Sequence, residues 1–211
     1  MQYFSRKDID TLQHLYKINL INSCSGFKSA NLIGTKSKSG QENVAVFSSV
    51  THIGSSPPLL GFFCRPTTVM RHTYENIKET NVYTLNAIHL ENFEDAHHTS
   101  AKYQKDISEF DMTNLISEYK KGCYAPFVKE SPMQLEMQFV TEYPIKENDT
   151  ILVIGEIKGI HINKDILEDD GFINLSKANV ASINGLDGYT IPKLEKRLEY
   201  QRPKSISSEQ Y

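Results

Sequence analysis

Two long tracts near the middle of the chain set the reading. Met133, Leu135, Met137 and Phe139 alternate with Gln134, Glu136 and Gln138, the period of a half-buried strand. Thr150 to Ile162 reads as a second long strand, broken or bent at Gly155 or Gly159, and Asn148-Asp149 supplies the turn between the two. Upstream, Ala30–Lys36 and Val44–Ser49 flank Ser37-Lys38-Ser39-Gly40 and predict a β-hairpin. Leu59–Cys64 is a short apolar run suited to a buried strand, and Val82–Ala87 is another strand. The helical period is rarer. Ser5-Arg6-Lys7-Asp8 resembles a capping box, and Ile9, Leu12, Leu15 and Tyr16 follow at helical spacing. They predict an N-terminal helix packed outside the core, followed by a polar, turn-rich Asn19–Gly26. Thr73 is placed to cap a helix running through Ile77 and Glu79. Asn92–Ser100 reads as helical, as does a short piece near Leu115–Tyr119 inside the aperiodic Tyr103–Phe127. Pro192 is expected to start a last helix through Leu198, and Asp169-Asp170-Gly171 is a turn. The end, from Gln201 on, is expected to fray.

At least six strands joined mostly by turns, with two to four helices and long connections only within Leu90–Ser131, predict a mainly β fold. An antiparallel barrel with peripheral helices fits this order better than a doubly wound sheet. With 211 residues, 39% hydrophobic, the chain can bury a sizeable core as a single domain. A net charge of −3 and no basic stretch argue against a nucleic-acid or membrane-surface partner. No segment approaches the roughly 20 apolar residues of a membrane span. The charged start MQYFSRKDID lacks a signal-peptide core. Cys24, Cys64 and Cys123 form no CxxC pair, which suggests free thiols in a reducing cytoplasm.

The chemistry is concentrated between Asn43 and Ile77. A polar loop, Ser48 to Ile53, ends one strand and is suited to holding a flat polar ring. A second polar cluster, Arg65, Thr67, Thr68, Arg71, His72 and Thr73, precedes a helix. Hydroxyls, a guanidinium and the free N–H groups of a helix start are what a phosphate needs. Taken singly, these residues have plainer roles. Ser48 and Ser49 would end a strand, and Arg65 and Arg71 would be solvated charges. His52 is either a ring contact or a solvent-facing loop residue. His97 and His98, adjacent on a helix, point about 100° apart, which argues against a shared metal ion. Cys24 and Cys64 read as small buried or half-buried residues. Tyr189 either reaches over a ligand from a C-terminal arm or packs in the core. There is no nucleophile elbow, HExxH or P-loop.

As a set, SGFKSANLIGT (Ser25–Thr35), NVAVFSSVTHIGSSPPLLGF (Asn43–Phe62), RPTTVMRHTYENIKET (Arg65–Thr80), VYTLNAI (Val82–Ile88) and TILVIGEI (Thr150–Ile157) resemble the flavin reductase-like proteins of the FMN-binding split-barrel superfamily. The likeness covers roughly residues 19–162, the expected barrel core of one domain spanning 1–211. It implies a six-stranded antiparallel split barrel and a homodimer with FMN, or FAD as an alternative flavin, at the subunit interface. It also implies NAD(P)H as co-substrate, and a partner oxygenase or an electron-donor protein. Ser48, Ser49, Val50 and Thr51 would contact the flavin ring. Arg65, Thr67, Thr68, Arg71, His72 and Thr73 would hold the phosphate, with Ser29, Asn31 and Asn43 as weaker candidates. One departure bears on function. Several two-component flavin reductases carry Gly-Asp-His before the late strand, where the His helps place the nicotinamide, and this chain has Asn148-Asp149-Thr150. The alternative within the resemblance is a flavoredoxin-like electron carrier reduced by another protein.

Overall fold

The computed structural model describes residues 1–203; the expected fraying beyond Gln201 falls, from position 204, outside the described residues. Seven strands form the main sheet: β1 (Asn31–Lys36), β2 (Glu42–Phe47), β3 (Thr51–Ser55), β4 (Pro58–Cys64), β5 (Val82–Ala87), β6 (Met133–Ile145) and β7 (Thr150–Ile162). Their order is β2-β1-β5-β6-β7-β4-β3, with every pairing antiparallel. The predicted hairpin is β1–β2, and β5 occupies Val82–Ala87 as read from the sequence. The long strand β7 shifts register at both expected glycines, between Ile154 and Gly155 and between Ile157 and Gly159.

The sheet is strongly curled. Phe47 on β2 and Phe62 on β4 stand five strand spacings apart in the sheet order, about 24 Å if it were flat. Their ring centroids are 5.1 Å apart, and Phe62 lies 5.8 Å from Tyr83 on β5. The interior gathers Ile33, Phe62, Tyr83, Leu85, Leu135, Met137 and Val153 around this aromatic stack. A second core lies on the other face, where Leu32 and Val44 meet Ile88, Ala96, Phe110, Val128 and Ile183. Neighbours Leu32 and Ile33 thus serve opposite cores, which is why β1 is buried along almost its whole length. Sequence expectation gave six strands; the seventh is Thr51–Ser55, read as loop but paired to β4 from Thr51↔Gly61 to Ser55↔Pro58. Only Ser48–Val50 separates β2 from β3.

Gly34 is a position where the fold needs the smallest residue. A Cβ there would collide with the Pro126 carbonyl and the Thr84 hydroxyl, which themselves hydrogen-bond at 2.6 Å. Gly34→Ala should therefore cost about 1–3 kcal/mol of stability, read as a lower urea midpoint with unchanged slope. An unshifted midpoint would show that the connection carrying Pro126 yields freely.

The helices depart further from expectation. The Ser5–Asp8 capping box is present, but the N-terminal helix is two, α1 (Arg6–Thr11) and α2 (His14–Ser23), because Leu12 turns extended. Neither buries a residue: Leu15 and Ile21 stay exposed instead of packing on the core. Helix α2 also takes in most of the expected turn-rich stretch. Helix α3 (His72–Thr80) starts two residues earlier than predicted, with Arg71 and not Thr73 as its N-cap, and stops at Asn81, whose φ of 60° places it in the left-handed region. Helix α4 (Phe93–His98) is shorter than its sequence pattern. The piece near Leu115–Tyr119 is not helical, because Ser117–Glu118 pair with Phe127–Val128. Nor is Pro192–Leu198. That arm runs irregularly, held where Leu194 N–H donates to the Ser176 hydroxyl and Arg197 pairs with Asp170. Among the described residues, no helix is long and apolar enough to cross a membrane.

Candidate functional site

One cleft of about 500 Å³ runs along β2 from Asn43 to Ser49. Its walls join segments distant in sequence: Phe63, Cys64 and Arg65 at the end of β4, Val69 to Thr73 at the start of α3, Thr99 to Tyr103 after α4, and Glu109. Asn22 of α2 and Leu186 close one side. Ser48, Ser49, Arg65, Arg71, His72 and Thr73 are therefore brought together.

Local folding explains their placement. The Ser49 hydroxyl accepts from the Phe63 N–H at 3.1 Å and donates to the Phe63 carbonyl at 3.3 Å. Continuing the β3–β4 register beyond Thr51↔Gly61 puts Ser49 opposite Phe63, so its side chain replaces the missing backbone ladder at the bend. What the bend has left for a ligand is backbone N–H and the Ser48 side chain. At the other end of the cleft, Arg71 is the N-cap of α3 and makes no side-chain cap bond. The N–H groups of His72, Thr73 and Tyr74 have no acceptor within the helix, which leaves a positive helix end facing the cleft. Arg71 Nε donates to the Pro66 carbonyl at 3.3 Å, folding the Pro66–Met70 turn under the guanidinium.

Thr73 is not the cap its spacing predicts. It is the second residue of α3, buried, and its hydroxyl accepts from Asn43 Nδ2 at 3.0 Å. Asn43 reaches the Thr35 hydroxyl as well, and Asn76 donates to the same oxygen, so a buried polar network fixes α3 against the hairpin. The remaining candidates do not line the cleft. Thr67 and Thr68 form an exposed turn, and their neighbours Val69 and Met70 face the cleft instead. Thr51 is exposed in β3. Val50 packs towards the interior core, and its carbonyl accepts from the Ser29 hydroxyl, which in turn accepts from Asn31 Nδ2. Ser29 and Asn31 thus brace the bend from behind.

His52 is solvent-facing and bonds Ser55. His97 and His98 diverge onto Tyr189 and Tyr103 respectively. Tyr189 packs against Phe93 and His97, and its burial raises its pKa to about 12. Cys24 is exposed, not buried. Cys64 lines the cleft as a thiol: burial lifts its pKa to about 11 against the opposing pull of Arg71. Asn148-Asp149-Thr150 forms a closed turn away from the cleft lining, where Asn148 Oδ1 accepts from both the N–H and the hydroxyl of Thr150. His161, at the far end of β7, pairs with Glu136.

The sequence reading missed the connection that covers the site. Lys102, Tyr103 and Glu109 come from the aperiodic Tyr103–Phe127 tract and its approach, where no period or motif marked them. Arg65, Arg71 and Lys102 face a single carboxylate, Glu109, so the cleft favours an anion.

Comparison with known proteins bears on the fold and the family. A Shewanella frigidimarina NCIMB 400 protein with a split barrel domain, provisionally assigned as a flavin reductase, is 42% identical, with a TM-score of 0.92 over 95% of this chain and 100% of that one. The fold is shared with nitrilotriacetate monooxygenase component B from Bacillus cereus (18% identity, TM-score 0.81, 94% and 98% covered). It is shared also with flavoredoxin of Desulfovibrio vulgaris (Miyazaki F) (20% identity, TM-score 0.69, 83% and 91% covered). The model of the flavin reductase like domain matches residues 25–177, most of the chain and nearly every wall of the cleft, and this protein belongs to that family.

Proposed function

We propose that the chain is an FMN-binding oxidoreductase, a flavin reductase using NAD(P)H, with FMN in the cleft along β2 at a homodimer interface. The observation that carries this reading is the convergence of the Ser48–Ser49 bend and the Arg71–Thr73 helix start on one cleft. The residues fit a planar ring with an anionic tail. The bend offers backbone N–H groups to ring carbonyls, while the free N–H groups of α3, Arg65, Arg71 and His72 suit a phosphate. FMN, when bound, supplies the hydride and electron-transfer chemistry itself. The protein's part is to orient the ring, hold the phosphate and exclude water. N–H groups aimed at ring carbonyls would favour the form with more negative charge on the ring. FAD would place its extra nucleotide beyond the helix start. Val69 and Met70, about half exposed on the rim, are the surface we assign to the second copy. On this reading β2 and β3 are one strand bent at Ser48–Val50, which turns seven hydrogen-bonded strands into the six of a split barrel. Three free cysteines suit a reducing compartment such as the cytoplasm.

A second reading, an FMN electron carrier reduced by a protein donor, is favoured by Asn148-Asp149-Thr150. That turn satisfies its own hydrogen bonds and stands away from the cleft lining. Anaerobic stopped-flow mixing of the FMN-loaded protein with NADH and NADPH separates the two. Bleaching of the visible flavin band by either nucleotide is expected for the reductase. Inertness to both, with reduction by a ferredoxin-type donor, selects the carrier. A protein that binds no FMN defeats both. A reductase would serve a partner oxygenase with reduced flavin.

A further inference from the structure

Glu109 is the one charged residue buried among the described residues, and it lies in the cleft wall. It is 5% exposed and forms no ion pair among the described residues. Burying a carboxylate without a cation is expensive, and here burial pushes its pKa up. One oxygen, Oε2, accepts from the Val44 N–H at 3.1 Å, capping the outer edge of β2. Its own backbone N–H is a second donor to the carboxylate, no side chain donates to it among the described residues, and Glu109 lines the cleft. A neutral glutamine or a serine would satisfy the Val44 N–H without the cost of a buried charge. A carboxylate kept in such a place marks a site where a ligand completes its hydrogen bonding.

The position along β2 says which part of the ligand. Val44 and Ser48 are four residues apart in an extended run, about 13 Å. Next to Val44, Asn43 bonds Thr73 at the start of α3, the end assigned to the phosphate. Glu109 therefore stands beside the phosphate end of this run, well short of the ring end. A carboxylate accepts hydrogen bonds and repels a phosphate. Flavin mononucleotide offers a carboxylate its ribityl hydroxyls and the ring N3–H, and with the ring at the Ser48–Ser49 bend the hydroxyls are the donors nearer this station. We infer that Glu109 is a specificity-determining residue that accepts a hydrogen bond from the ribityl chain, so that the cleft reads the polyol of the flavin as well as its ring and phosphate. This inference rests on the flavin reading above.

The test uses three flavins on the full-length protein: FMN, riboflavin, which lacks the phosphate, and lumiflavin, which lacks the ribityl chain. Glu109→Gln keeps an acceptor for Val44 and removes the charge. It is expected to weaken FMN and riboflavin about tenfold each while leaving lumiflavin unchanged, read by flavin fluorescence quenching. Equal losses for all three ligands, or no loss for any, would overturn the ribityl assignment and leave FMN binding itself standing. A wild-type protein that binds none of the three would overturn the flavin reading and this inference with it. Should Glu109→Gln fail to fold, Glu109→Asp draws the carboxylate back by one methylene and must give the same ordering of the three ligands.

Discussion

Phe62→Ala should lower stability by about 3–5 kcal/mol, a large fraction of the 5–15 kcal/mol typical of a domain. Phe62 is 1% exposed and stands between Phe47 and Tyr83, edge to face with both. It is the ring that lets β2 and β4, distant in the sheet order, approach beneath the Ser48–Val50 bend. Truncation removes the burial of a full aromatic side chain and leaves a cavity that the surrounding strands, fixed by hydrogen bonds, cannot collapse to fill. The loss is read from urea unfolding, and a deficit under about 1 kcal/mol would mean the curl is held elsewhere. Because the cleft floor hangs on this contact, added FMN should raise the variant's midpoint less than it raises that of the native protein. Ligand stabilisation scales with affinity for the folded state.

Arg71→Ala should weaken FMN by tenfold or more, about 1.5–3 kcal/mol, the usual scale of a charge-assisted hydrogen bond. The guanidinium is half-buried, and Nε is spent on the Pro66 carbonyl, so the terminal nitrogens are the ones left for the ligand. Riboflavin has no phosphate and should bind the variant as it binds the native chain. That difference separates a phosphate contact from a loss of loop structure, which would weaken both ligands alike. Arg71→Lys keeps the charge but not the planar fork, and should fall between. An unchanged FMN affinity in Arg71→Ala would remove Arg71 from the site.

Much of the candidate site was legible in the sequence because its two halves are local. A strand ending in Ser48-Ser49 and a cationic turn before a helix are both written in a few consecutive residues, and the cleft brings them together. The reading failed where function passed from side chain to fold. Ser49 lines the cleft as its sequence position suggests, yet its hydroxyl closes the sheet against Phe63, because the bend leaves that backbone pair unmade. Thr73 has a cap's residue type, yet Asn43 holds its hydroxyl inside the helix start. Gln134 falls on the polar side of the alternation in β6 but is 4% exposed, covered by the Phe127–Val128 strand to which its amide donates.

Amino-acid order by itself determined where six of the seven main-sheet strands run and which two segments carry the candidate chemistry. Two-residue periodicity, glycine placement and turn residues act over a few positions, and no distant contact is needed to read them. Only the tertiary structure decided that the sheet curls until Phe47 meets Phe62, that β2 and β4 share one cleft wall, and that Glu109 arrives there. Glu109 and Val44 are separated by 65 positions across a tract with no period. Such a contact is fixed by the packing of the whole chain, and nothing in its immediate neighbours announces it.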